Sequence, residues 1–220
     1  TGIGDDSIHL INTTIGNSLF PAGAVYVGNN GYAISGVSGG GFSNADILAT
    51  GATPTGMPAA ATGILMPHWD DLYPTTAAPP TQIWWQELGG VLFIMWKDEN
   101  HFNSTAANEG ITFEIQVFQG PIACGSPAIQ FLYNDTVFGG AQAVNDNGAS
   151  ATVGYAHGAI AGLGNAKWSF NTAGSISAGL CLSISGGSFT MNITSPFGPG
   201  SLQIDLNDGS CTGSSYILPL

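Results

Sequence analysis

The chain has 220 residues, of which 14 are Asp or Glu and only two, Lys97 and Lys167, are basic, for a formal net charge of −12. That balance excludes nucleic acid as a partner, because phosphate binding needs Lys and Arg; hydrophobic residues at 44% exclude a disordered chain, and no apolar run reaches the roughly 20 residues of a membrane span. Charged residues are 7% of the chain, against roughly a quarter in an ordinary soluble domain, so the surface is built from Ser, Thr, Asn, Gly and apolar atoms, which suits packing against copies of itself or against another surface.

The sequence begins at Thr1 without a charged and then apolar leader, which reads as the mature form of an exported protein. Ser7-Ile8-His9-Leu10-Ile11-Asn12 precedes a turn and predicts a strand. Within an exchangeable segment 1–20, this strand is expected to leave its own domain and complete a neighbour's sheet, with Ile8, Leu10 and Ile11 as the assembly residues. Gly36-Val37-Ser38-Gly39-Gly40 matches the G-x-S-x-G nucleophile-elbow pattern. The following Gly41-Phe42-Ser43 does not open a helix, so a Gly-rich turn is the better reading. Residues 44–50 fit one short helical turn, and the Ala-rich, Pro-broken stretches 58–62 and 73–80 read as loops.

Trp84 and Trp85 are adjacent, so on a strand they point to opposite faces and one of them faces outward, as a stacking platform for a glycan would. Val91-Leu92-Phe93-Ile94-Met95-Trp96 is continuously apolar, as a strand covered on both faces would be. Trp96 and Trp168 are expected in the core. Alternation over 111–117, 129–133, 189–193 and 202–206 predicts half-buried strands. The stretch 157–179, rich in Gly, Ala, Ser and Asn, reads as an exposed crossover or a soft boundary. About a dozen strand candidates separated by Gly, Asn, Asp and Pro turns predict an all-β fold. The expected form is an antiparallel β-sandwich, a jelly-roll-like double sheet with long Gly/Ser/Ala-rich loops. We take residues 1–220 as one domain, with 176–220 as its C-terminal strands.

Acidic pairs stand at Asp5-Asp6, Asp70-Asp71 and Asp98-Glu99. Hard oxygen ligands in loops suit calcium, for which Asp70, Asp71, Asp98 and Glu99 are the candidates and Asn145-Asp146-Asn147 a further loop. His9, His68, His101 and His157 show no tight ligand spacing, which argues against zinc. Cys124, Cys181 and Cys211 have no C-x-x-C spacing. One disulfide, Cys181 with Cys211, is expected, leaving Cys124 free or bonded between chains; three small buried hydrophobes is the alternative. Asn-x-Ser/Thr sequons occur at Asn12, Asn103, Asn134 and Asn192.

One ordered set of motifs carries a family resemblance. Ile64-Leu65-Met66-Pro67-His68-Trp69-Asp70-Asp71-Leu72 is followed by Gln82-Ile83-Trp84-Trp85 and the apolar run 91–96. Ile111-Thr112-Phe113-Glu114-Ile115-Gln116-Val117, Ile129-Gln130-Phe131-Leu132-Tyr133 and Ala151-Thr152-Val153-Gly154-Tyr155 complete it. Residues 64–156 thus resemble the nidogen-like extracellular domain and its bacterial secreted relatives, without neighbouring EGF-like domains. The resemblance implies an extracellular β-rich module with adhesive or matrix roles and no catalytic centre. From the residues themselves, Pro67 stiffens the approach to Trp69, Trp69 plugs a sheet end or a core edge, and the two aspartates cap the following turn.

The reading that unites these features is a secreted, non-enzymatic structural protein, its partner being other copies of itself in an extracellular filament, sheath or surface layer. The alternative is an adhesive or carbohydrate-binding module that takes a glycan or a matrix protein. A secreted hydrolase using Ser38 with His101 or His157 ranks last.

Overall fold

The computed structural model describes residues 4–47, 53–74, 82–104, 110–121, 126–158 and 165–185, together with the backbone of 190–195 and 198–203. The described residues form fourteen strands. They are β1 (Ile8–Thr13), β2 (Gly23–Gly28), β3 (Tyr32–Ser35), β4 (Gly63–Trp69), β5 (Leu72–Tyr73), β6 (Gln82–Leu88), β7 (Val91–His101), β8 (Gly110–Phe118), β9 (Pro127–Asp135), β10 (Thr152–Ala156), β11 (Ala166–Phe170), β12 (Cys181–Ser185), β13 (Thr190–Ser195) and β14 (Gly198–Gln203). Sheet A has the order β1-β2-β3-β4-β10-β11, and sheet B the order β14-β13-β12-β9-β8-β7-β5 with β6 also on β7. Every pairing is antiparallel. The expected all-β antiparallel sandwich is the observed fold, and no helix of the described residues is long and apolar enough to cross a membrane.

Alternation builds the core. Ile111, Phe113, Ile115 and Val117 of β8, with Ile129, Phe131 and Tyr133 of β9, turn inward from sheet B. Ile11, Val25, Val27, Leu65, Val153 and Tyr155 meet them from sheet A. Trp96 stacks on Phe113, with ring centroids 5.1 Å apart. Polar ends of buried rings cross the gap: Trp96 Nε1–H donates to Gly28 O at 2.9 Å, and the Tyr133 hydroxyl donates to Pro67 O at 2.7 Å. Large apolar area is thereby buried without leaving a donor unsatisfied.

A second core lies on the outer face of sheet A. Tyr32, Ile34, Ile64, Met66 and Trp69 project to that side and are covered by Ile47, Met57 and Ala61 from the connection between β3 and β4. Every residue of β4 is therefore buried, as are those of β3 and β10. The strand covered on both faces is thus β4 and not β7. Val91, Phe93 and Met95 of β7 are only half-buried, because no described layer covers the outer face of sheet B. Trp69 plugs this second core, its Nε1–H donating to Gly41 O at 2.7 Å.

Three further expectations are corrected. Residues 44–47 are not helical, and Ile47 is instead pulled into the second core. The stretch 157–179 is an exposed crossover only in part: β11 extends sheet A and Ile176 packs into the main core, whereas 171–174 and 177–179, on the way to β12 in sheet B, are exposed. A 3-10 helix, Gly140–Gly148, occupies what read as a loop. Asp146 and Asn147 break its regularity, and the Asp146 carboxylate accepts from the N–H groups of Phe138 and Gly139. At the C-terminus β13 and β14 pair as a hairpin, with Ser195 opposite Gly198; the predicted alternation past Gln203 lies outside the described residues.

Candidate functional site

The assembly residues fall on β1, at one edge of sheet A. All six residues of β1 pair with β2 of the same chain, from Ile8 opposite Gly28 to Thr13 opposite Gly23. The pleat separates the three expected residues: Ile11 turns into the main core, whereas Leu10 is 54% exposed and Ile8 half-buried on the other face. The end of the strand is fastened to sheet B. The Glu87 carboxylate on β6 accepts from Thr13 Oγ1–H at 2.6 Å, from Thr14 N–H at 2.7 Å and from Thr14 Oγ1–H at 2.7 Å. These three donors hold its carboxyl below the ordinary glutamate range. No described strand pairs with the outer side of β1. Its sequence, Ile-His-Leu-Ile-Asn-Thr, offers neither a formal charge nor a proline along that side.

The glycan candidates fall on β6, an edge strand of sheet B. Leu88-Gly89-Gly90-Val91 forms a two-residue hairpin loop, with φ of 61° at Gly89 and 80° at Gly90. Positive φ at both centres is the turn that matches strand twist and needs glycine. It sets Trp84 opposite Met95 and Gln86 opposite Phe93. The rows continue across the sheet, Met95 to Glu114 to Leu132 to Cys181, and Phe93 to Gln116 to Gln130 to Ser183. Trp84 (55% exposed) and Trp85 (47% exposed) both reach solvent, because β6 is not covered by sheet A. Together with Gln86, Phe93, Met95 and Glu114 they line a groove of about 250 Å³. Gln116 Nε2–H donates to Glu114 Oε1 at 2.7 Å, Gln130 Nε2–H to Ser183 Oγ at 2.9 Å, and Trp84 Nε1–H to Gln82 Oε1 at 3.0 Å.

The four calcium candidates do not converge. Asp70 is enclosed by its own partners: it accepts the Ser150 hydroxyl and the Asp71 N–H, and stands 3.8 Å from His68 Nε2 and 3.7 Å from His101 Nε2. Asp71 shares its loop, and Asp98 lies 3.6 Å from Lys97 Nζ. Glu99 points into the core instead. Asp98, with φ of 56°, belongs to a bulge that shifts the pairing of β7 with β8 and turns Glu99 to the side of Ile111. Glu99 is fully buried, and neither carboxyl oxygen has a hydrogen-bond partner among the described residues. Burial pushes its pKa well above the ordinary value, because the charged form loses its hydration there. Among the described residues no three His, Cys, Asp or Glu side chains are placed to hold a metal ion.

The His68–Asp70–His101 group ties the end of β4 to the end of β7. Burial lowers the His68 pKa to about 4, so its ring is neutral, packed beside Phe113 and Phe138. The His101 pKa is raised: burial acts to lower it, and the Asp70 carboxylate outweighs that. Hydrogen bonds and the two imidazoles hold Asp70 low against its own desolvation. The neighbouring β2–β3 turn locks this corner. Gly31 (φ 75°) lies so close to His68 O that a Cβ there would sit 1.9 Å from it, and Asn30 Oδ1 accepts from Leu72 N–H at 2.8 Å. Asp70 thus caps the turn after β4, as its position in the motif predicts. Ser150 donates to a carboxylate and not to an imidazole, so the cluster presents no activated nucleophile.

Ser38 is exposed on the connection leaving β3, with no helix after it among the described residues, so the strand-turn-helix context of a nucleophile elbow is missing. Cys181 is half-buried on β12, 3.9 Å from Ser183 Oγ, and is in no disulfide among the described residues. Cys124 and Cys211 lie outside the described residues, as does the expected Cys181–Cys211 pairing. Gln86, Phe93, Met95 and Glu114 were missed as groove residues. The signal for them was present in the Gly89-Gly90 loop, which fixes the register of β6 on β7.

Searches of protein-family models, curated proteins and solved structures find no match to this chain.

Proposed function

We propose that this chain is a secreted, non-enzymatic structural protein whose copies assemble through the edges of sheet A. The observation that carries the proposal is the outer side of β1, with which no described strand pairs. Natural edge strands are protected by charges, proline, bulges or a covering element, and β1 pairs in unbroken register without a formal charge or proline. At the opposite edge of sheet A, β11 carries one charge, Lys167, and Asp46 neutralises it at 2.8 Å. Adding β1 of one copy to β11 of the next continues the sheet head to tail, and such heterologous contacts build filaments.

Two features favour β1 remaining in its own sheet while its free side accepts a neighbour, over donation of the whole strand. Ile11 is anchored in the core, and Thr13 and Thr14 are held by Glu87. The extracellular setting rests on the low cation content and on the motif order that resembles nidogen-like domains.

Light scattering after size exclusion, with negative-stain microscopy, tests the proposal. The wild-type chain is expected to form regular polymers. Leu10→Lys, which places a charge on the exposed face of β1 without touching the core, is expected to leave monomers with an unchanged melting temperature. A wild-type chain that stays monomeric at high concentration defeats the reading.

A further inference from the structure

We infer that the outer face of β6, β7 and β8 is a binding site for a neutral saccharide chain, independent of the assembly edge on β1. The site is a groove of about 250 Å³ lined by Trp84, Trp85, Gln86, Phe93, Met95 and Glu114. That is below the roughly 300–1,000 Å³ of pockets that enclose drug-sized ligands. An open groove of this size takes one ring of a longer chain.

The chemistry of the lining selects the occupant. A pyranose has apolar C–H faces and a rim of hydroxyl groups. The apolar part of the groove is one indole, one phenyl and one thioether, from Trp84, Phe93 and Met95, carried on paired strands. Its polar part is a carboxylate and an amide, Glu114 and Gln86. Glu114 is oriented by Gln116, which donates to Oε1. A carboxylate accepts about four hydrogen bonds, so capacity remains for sugar hydroxyls. Trp85, next to Trp84 on β6, adds a second indole to the lining.

Charge removes the competing occupants. No Lys or Arg lines the groove, so phosphate, sulfated glycans and acidic lipid surfaces find no counter-charge. A second copy of this chain, itself at −12, brings no surplus of cations to meet Glu114. Trp84 stands on a rigid sheet and is exposed before any ligand arrives, so binding requires no rearrangement of the core.

Titrating the full chain with cellohexaose, chitohexaose and maltohexaose, followed by tryptophan fluorescence and calorimetry, tests this inference. At least one is expected to give a saturable signal, weakened ten-fold or more in Trp84→Ala and about five-fold in Glu114→Ala. The fold of each variant is checked by an unchanged melting curve. Leu10→Lys is expected to bind the sugar normally while losing assembly, so the two proposals fail separately. Three outcomes overturn the saccharide site: no saturable response to any of the three at millimolar concentration, binding unchanged in Trp84→Ala, or a response to polylysine alone.

Discussion

Sheet A and sheet B share one core but treat their second faces differently. Outside β3 and β4, the connection between them folds back and buries Tyr32, Ile34, Ile64, Met66 and Trp69. Outside β7 and β8 no described segment returns, and Phe93, Met95 and Trp84 stay in partial contact with water. Apolar residues thus occupy both outer faces, yet only one set is closed over. Leaving such groups uncovered forgoes roughly 25 cal/mol for each Å² that could be buried. The covered face is accounted for by folding alone, whereas the bare one is the natural place to look for a ligand.

The sharpest way to break this comparison is to truncate one tryptophan from each face. Trp69→Ala is expected to cost about 3–5 kcal/mol, which for a chain of this size lowers the melting temperature by very roughly 6–20 °C. Trp84→Ala is expected to stay within about 0.5 kcal/mol of wild type. Calorimetry on both variants decides; equal losses would mean the outer face of sheet B is as much a part of the fold as the second core.

A smaller effect probes the inner face of sheet B. Burial raises the Glu99 pKa well above that of its unfolded counterpart, which ionises above the ordinary glutamate pKa. Wild-type stability is therefore reduced as pH rises past that value, until the folded-state pKa is reached. Glu99→Gln removes the titration and is expected to stabilise the chain by about 1–3 kcal/mol at pH 7. Most of that gain disappears at pH 4, where the unfolded carboxyl is largely protonated as well. Urea denaturation at the two pH values measures it, and a gain independent of pH would contradict the burial argument.

The smallest effect concerns the corner where the sheets meet. A raised His101 pKa means that its pairing with Asp70 contributes fully below about pH 6.5, the unfolded value, and is lost as pH climbs through the folded one. The lowered Asp70 sets the acid limit, its contribution fading as pH falls through its own folded value. His101→Gln is thus expected to cost under about 1 kcal/mol at pH 5.5 and less at pH 9. A cost that does not shrink at pH 9 would make the residue's packing on Phe138, and not its charge, the relevant contact.

Local pattern made much of this legible. The alternation in 111–117 and 129–133 gave the strands and their inward faces, because a half-buried strand writes its two environments into a period of two. Asp70 as a turn cap and Trp69 as a plug were likewise readable from their neighbours. The continuous run 91–96 misled, since an apolar residue on an uncovered face looks the same in sequence as one beneath a second layer. Glu99 misled for a related reason: a bulge reverses which side of a strand a residue takes, and nothing in Lys97-Asp98-Glu99 announces it.

Composition and period-two alternation, which act locally, were enough for a β-rich chain, most of its strands and an outer coat almost without cations. Only the tertiary structure decided that β4 rather than β7 is roofed and that Ile11 and Leu10 part company across β1. It also decided that Asp70, His68 and His101 meet while Glu99 is sealed away. Those outcomes depend on which distant segment returns to cover a face and on cross-strand register, and both are set by packing between parts of the chain far apart in sequence.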